Sequence, residues 1–146
     1  SMETGMSILG GHGLFLGAND IHVGKNESIL DSAKVLGNFN DLISARVFSH
    51  DTCLELAEHS GVPVINSLSD WHHPLQILAD FQALREEYND RNGDLSGLKV
   101  AWVGDGNNVL HSFMVGCPIF GMDLSYAHPE GYEPFPEVLE TANELA

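Results

Sequence analysis

Residues 98–120, LKVAWVGDGNNVLHSFMVGCPIF, read as a β-strand, a glycine-rich turn and a helix in direct succession. Leu98 to Val103 is a short apolar run with the residue types that strands favour, and Asn108 to Phe120 carries a helical pattern. Between them, Gly104-Asp105-Gly106-Asn107-Asn108 brings glycine flexibility and free N–H groups to a helix start, an arrangement able to cradle an anion. A dinucleotide fingerprint would want a third Gly near position 109, where Val109 stands. Only Asp123 lies where the acidic partner would be sought, so the nicotinamide reading is weak.

The alternation of short strands with helices continues in both directions, which predicts an α/β fold of parallel sheets flanked by helices. Downstream, Met122 to Ala127 reads as a strand, and Glu137 to Leu145 as a helix opened by Pro136. Upstream, residues 2–10 read as the end of a helix stopped at Gly10-Gly11, with a brief strand at 13–16. Ser28 and Asp31 form an N-cap pair for a helix running to about Leu36, its apolar face built from Ile29, Ala33 and Leu36. Leu42 to Phe48 reads as a buried strand, and Thr52 to Ser60 as a helix with apolar spacing at Cys53, Leu54 and Ala57, ended by Gly61. Val62 to Ile65 is a second buried strand. Residues 73–88 form a long helix whose expected apolar stripe is Leu75, Leu78, Phe81, Leu84 and Tyr88. The polar, turn-rich segment beginning at Asn89 marks a boundary, giving units at 1–89 and 98–146 with a linker at 90–97.

A chain of 146 residues with 6 Lys and Arg against 21 Asp and Glu carries a formal charge of −15. Such a surface argues against nucleic acid or an anionic membrane as partner. No apolar run approaches the length needed to span a bilayer. Cys53 and Cys117 lack metal-ligand spacing and read as reduced, packed thiols of an intracellular protein. His72, His111 and His128 have no ligand-like partners in sequence, so no metal is expected. Asp70, Asp80 and Asp105 read as caps or supporting partners, and Trp71, Trp102 and Phe113 as core.

The chemistry-bearing stretch is His73-Pro74-Leu75-Gln76. Pro74 suits a first helical turn, and His73 and Gln76 then project near the positive end of the helix dipole, where an acyl or phosphate group would be held. A histidine that merely begins the helix is the plain alternative. Arg46, at the carboxyl end of the strand expected over 42–48, stands where open parallel sheets place their ligands, and its guanidinium offers paired donors to phosphate or carbonyl oxygens. A surface arginine paired with a carboxylate is the commoner case.

Together with Gly10-Gly11-His12, Asp20-Ile21-His22-Val23-Gly24, Ala45-Arg46-Val47, Val64-Ile65-Asn66-Ser67-Leu68-Ser69-Asp70 and Gly104-Asp105-Gly106-Asn107-Asn108-Val109-Leu110-His111-Ser112, this motif resembles the aspartate/ornithine carbamoyltransferase family along the whole chain. The Gly-Asp-Gly-Asn-Asn run favours the ornithine branch. The resemblance implies part of a carbamoyl-phosphate-binding domain joined to the start of an ornithine-binding domain, and transfer of a carbamoyl group from carbamoyl phosphate to ornithine, without a cofactor. It implies Arg46, His73 and Gln76 at the carbamoyl phosphate, His22 reaching a neighbouring subunit's site in a homotrimer, and Asn108 on ornithine. The family's Ser-Thr-Arg-Thr-Arg, Ser-Met-Gly and His-Cys-Leu-Pro segments have no match here, which reads as an internal piece with little turnover alone. The resemblance places it in the mitochondrial matrix of an animal, or otherwise in the cytoplasm. A non-catalytic α/β binding or assembly module, or transfer to another amine, are the alternatives.

Overall fold

The computed structural model describes residues 2–17, 20–21, 27–88 and 92–146. In chain order the elements are α1 (Met2–Ile8), α2 (Ile29–Phe39), β1 (Ile43–Arg46), α3 (His50–His59), β2 (Val64–Leu68), α4 (Pro74–Glu87), β3 (Lys99–Val103), α5 (Asn108–Ile119), β4 (Asp123–Ala127) and α6 (Pro136–Leu145). Two parallel pairs, β1 with β2 and β3 with β4, are flanked by these helices. The α/β reading is borne out.

Several local expectations hold for the reason given. Ser28 caps α2, its Oγ accepting from the Asp31 N–H at 3.1 Å, so one unsatisfied donor of the first turn finds a partner. Gly61, at φ +72°, ends α3 in the left-handed region that suits glycine. Pro74 and Pro136 occupy the first turns of α4 and α6.

Other expectations are corrected. Residues 13–16 form no strand. The first strand is shorter than 42–48 and only Ala45 in it is buried; the second begins at Val64 and runs to Leu68. With one partner each and solvent nearby, the strands are half-covered, so a run of apolar letters overstated their burial. The helix faces hold at Cys53 and Phe81 and fail at Leu54 and Leu78. In α3 the buried pair is Cys53 and Leu56, while Leu54 is 55% exposed. In α4 it is Ile77 and Phe81, while Leu78 is 57% exposed. Apolar residues in α4 occupy more than one face, and the neighbour it packs against selects among them.

That neighbour is α5. Phe81 and Ile77 join Leu95, Cys117 and Met122 in one buried cluster. A Cβ added at Gly116 would stand 2.6 Å from the Phe81 ring, so the absence of a side chain there lets the two helices approach. A second cluster of Ala33, Ala45, Cys53 and Leu56 holds α2 and α3 on β1. A third joins Leu110 and Met114 of α5 to Val138 and Ala142 of α6, with Trp71 and Trp102 packed against it. Phe113 packs against the first cluster. Among the described residues, no helix is long and apolar enough to cross a membrane.

Candidate active site at the α4 and α5 starts

The carboxyl ends of β1 and β2, the turn 69–73 and the first turns of α4 and α5 meet in one region. β1 and β2 run in register from Ile43 opposite Val64 to Ala45 opposite Asn66, then slip so that Arg46 faces Leu68. An irregularity of this kind re-aims a strand end, and here it falls at Arg46. Arg46 is exposed, and its guanidinium has no hydrogen-bond or ion-pair partner among the described residues.

Leu68 passes into the turn at Ser69, which is fully buried. Its Oγ receives the Asn66 amide N–H at 3.2 Å and the His72 backbone N–H at 3.2 Å. The same hydroxyl lies 3.0 Å from His50 Nδ1 and 3.5 Å from the His72 carbonyl, the two acceptors within reach of its proton. The next residue, Asp70, takes the His50 backbone N–H at 2.8 Å on Oδ1. It therefore supplies the N-terminal cap that Ser49, without a side-chain cap bond, does not.

His73 is the N-cap of α4, with φ −129° and ψ 66° and no side-chain cap bond. Its backbone N–H donates to Ser112 Oγ at 2.8 Å. Its Nδ1 is buried without a hydrogen-bond partner. An unmet buried ring nitrogen costs free energy unless a ligand or water completes it, and the Asn66 Oδ1 nearby in the chain is in the same position. Gln76 is exposed one turn on, its amide N–H donating to Asp80 Oδ1 at 2.9 Å. Arg46, His73 and Gln76 thus lie on adjoining segments, with no hydrogen bond linking them among the described residues. His22 lies outside the described residues.

The start of α5 is closed from within. Asn107 Oδ1 accepts the N–H groups of Val109 at 3.0 Å and Leu110 at 3.2 Å. Gly106 N–H reaches the Tyr132 carbonyl at 2.8 Å, and a Cβ on Gly106 would run into the backbone of Glu133 and Pro134. The expected anion cradle at Gly104–Asn108 is corrected in part: the Gly104, Gly106 and Asn107 N–H groups are taken by the carbonyls of Ala127, Tyr132 and Asp105. Asn108, half-buried, gives its amide N–H to the Ser69 carbonyl at 2.7 Å. Asp105 Oδ1 accepts from the Asn107 amide at 3.1 Å, the supporting role expected of it.

Sequence reasoning passed over His111, now the most connected side chain of the region. It is 1% exposed. The Phe135 backbone N–H donates to its Nε2 at 3.1 Å, so Nε2 bears no proton. Nδ1 must carry it, donating to the Trp71 carbonyl at 2.8 Å. Burial lowers its pKa, opposed by that carbonyl. His72 is pushed down to about 4, by burial first and then by the charges His50 and His111 would carry. The rings of His50, His72 and His111 follow one another at centroid distances of 5.8 and 6.2 Å. The usable signal was an apolar helix, α5, with one polar face at Asn108, His111 and Ser112. Among the described residues no group of three or more His, Cys, Asp or Glu side chains is arranged to hold a metal.

Residues 1–86 match the aspartate/ornithine carbamoyltransferase carbamoyl-P binding domain, and residues 96–146 match the Asp/Orn binding domain of the same family. The mitochondrial ornithine carbamoyltransferase of Aquarana catesbeiana is 47% identical over the whole chain, which covers 41% of that relative. Ornithine carbamoyltransferase of Methanosarcina mazei is 51% identical over 99% of the chain and 47% of the relative. The solved ornithine carbamoyltransferase from Pyrococcus furiosus superposes with a TM-score of 0.91 at 44% identity, over 99% of this chain and 45% of that one. The chain thus spans under half the length of each of these three. Two consecutive domain matches of one family, with a backbone that follows its solved structures, establish that this chain belongs to the aspartate/ornithine carbamoyltransferase family.

Proposed function

We propose that the chain carries the carbamoyl-gripping part of an ornithine carbamoyltransferase, which transfers the carbamoyl group of carbamoyl phosphate to ornithine and releases citrulline and phosphate. The observation that carries this reading is the buried Nδ1 of His73 at the mouth of α4, without a hydrogen-bond partner among the described residues, together with Arg46 at the end of β1, whose guanidinium has none among them either. Attack of an amine on the carbamoyl carbon draws negative charge onto the carbonyl oxygen, and fixed donors aimed there contribute on the order of 3 kcal/mol each in acyl-transfer sites. Arg46 supplies charge to phosphate or carbonyl oxygens. His73 sits where the first turn of α4 adds its positive end. Gln76 takes the carbamoyl NH₂ through its amide oxygen while its N–H stays on Asp80. Asn108 binds the amino-acid end of ornithine. One amide N–H being engaged by the Ser69 carbonyl, its Oδ1 is offered to the ligand's ammonium and its second N–H to the ligand's carboxylate. No covalent enzyme intermediate is required.

Substrate positioning carries much of the rate in such a transfer, and the chain spans under half of its relatives' length. Turnover by these 146 residues alone is therefore expected to be small. Assembly as a homotrimer, with His22 entering a neighbour's site, belongs to the same proposal. Calorimetric titration with phosphonoacetamide, a stable analogue of carbamoyl phosphate, tests it. Binding lost in both Arg46→Ala and His73→Ala is the expected result. No binding by the unaltered chain, or binding indifferent to both changes, overturns the reading.

A further inference from the structure

Three side chains on one face of α5 each hold one backbone group of the turn that delivers His73. Asn108 Nδ2 donates to the Ser69 carbonyl at 2.7 Å, His111 Nδ1 to the Trp71 carbonyl at 2.8 Å, and Ser112 Oγ accepts the His73 N–H at 2.8 Å. Their spacing at 108, 111 and 112 is the i, i+3, i+4 pattern of a single helical face. Ser69, His111 and Ser112 are all buried, so water competes poorly for these bonds. The grip extends further, because His111 Nε2 also takes the Phe135 N–H ahead of α6.

We infer that His111 and Ser112 are positioning residues: through the backbone of residues 71–73 they set the place and orientation of the His73 imidazole, a role that nothing in the carbamoyl chemistry itself requires of them. A turn whose N-cap has no side-chain cap bond of its own needs an outside support, and α5 provides it. The support depends on one tautomer. His111 must donate at Nδ1 and accept at Nε2 simultaneously, which only the neutral ring with its proton on Nδ1 does. The groups facing it are the imidazole of His72 and, one ring further, that of His50, whose backbone N–H is held by the Asp70 carboxylate. The functional meaning of holding His73 rests on the reading proposed above, whereas the holding itself does not.

The test is amide hydrogen exchange and imidazole nitrogen NMR on the 146-residue chain. The His111 ring is expected to show a protonated Nδ1 and a bare Nε2. Ser112→Ala should speed exchange of the His73 amide by roughly tenfold, the factor for one lost hydrogen bond, and shift the His73 ring signals, with Ser112→Thr restoring most of both. His111→Asn, whose amide can still donate to the Trp71 carbonyl, should disturb His73 less than His111→Gln does. Unchanged His73 exchange and ring signals in a folded Ser112→Ala chain would overturn the inference, even if the His111 variants do not fold. Phosphonoacetamide affinity measured alongside separates the two ideas. Weaker binding in Ser112→Ala supports both, while no binding by the unaltered chain counts against the proposed function and leaves the exchange result to decide the positioning role.

Discussion

Helices α4 and α5 begin side by side and are finished in opposite ways. At α5, Asn107 accepts two N–H groups of the first turn, and the 132–134 segment closes over Gly106. At α4, His73 makes no side-chain cap bond and keeps a buried ring nitrogen without a partner. A helix start satisfied by its own chain is a structural joint. One left incomplete while firmly held from outside is where a ligand can gain what the fold has not used. The glycine-rich run at 104–107, which in sequence could have cradled an anion, serves as the joint.

The strongest way to break this contrast is to remove what both helices share. Phe81→Ala empties the space between α4 and α5 that Gly116 leaves open, and large-to-small changes of this kind cost about 3–5 kcal/mol. Urea unfolding should show the loss, and a change below about 1 kcal/mol would mean that the two helices are not packed as described.

Acid provides the second strain. The folded pKa of His72, about 4, lies below its ordinary 6.5, so the unfolded chain binds this proton first. The contribution is intact above pH 6.5 and is lost as pH falls from there through about 4. His111, also lowered, acts in the same direction. Thermal unfolding of His72→Gln should therefore be less sensitive to pH between 6.5 and 4 than that of the unaltered chain. Equal slopes would dismiss the histidine row as a source of acid sensitivity.

The cap comparison itself comes next. Asn107→Ala removes two bonds to α5 and should cost about 1 kcal/mol, whereas His73→Ala removes no cap bond and should cost less while abolishing anion binding. A larger stability loss for His73 than for Asn107 in parallel melts would reverse the assignment of joint and site. The smallest effect is expected for Gln76→Ala. It breaks one exposed i, i+4 pair with Asp80, worth a few tenths of a kcal/mol, so a melting temperature nearly unchanged beside weakened phosphonoacetamide binding is the result that sharpens the contrast.

Much of this was legible in the residues. The α/β alternation, the Ser28 cap, the Gly61 stop and the helix opened by Pro74 follow from local rules that depend on neighbours three or four positions away. The motif through Gln76 pointed to the family and to the α4 start. What escaped were features set by distant partners. Asp70 caps α3 from 20 residues away, and α4 buries Ile77 beside the expected Phe81 while Leu78 of the expected stripe is exposed. His111 looked unremarkable because a lone histidine on an apolar helix has many possible meanings until its two ring nitrogens are seen between the Trp71 carbonyl and the Phe135 N–H.

By itself, then, the sequence determined the α/β alternation and most of its helices and strands, though not the strand expected at 13–16, because turn geometry, capping and periodicity act over a few residues. Only the tertiary structure decided which helix start is capped by its own side chain and which is held in place by a neighbouring helix. That outcome depends on hydrogen bonds between residues some 39 and 40 positions apart, from Asn108 to Ser69 and from His111 to Trp71, whose partners no local rule can choose.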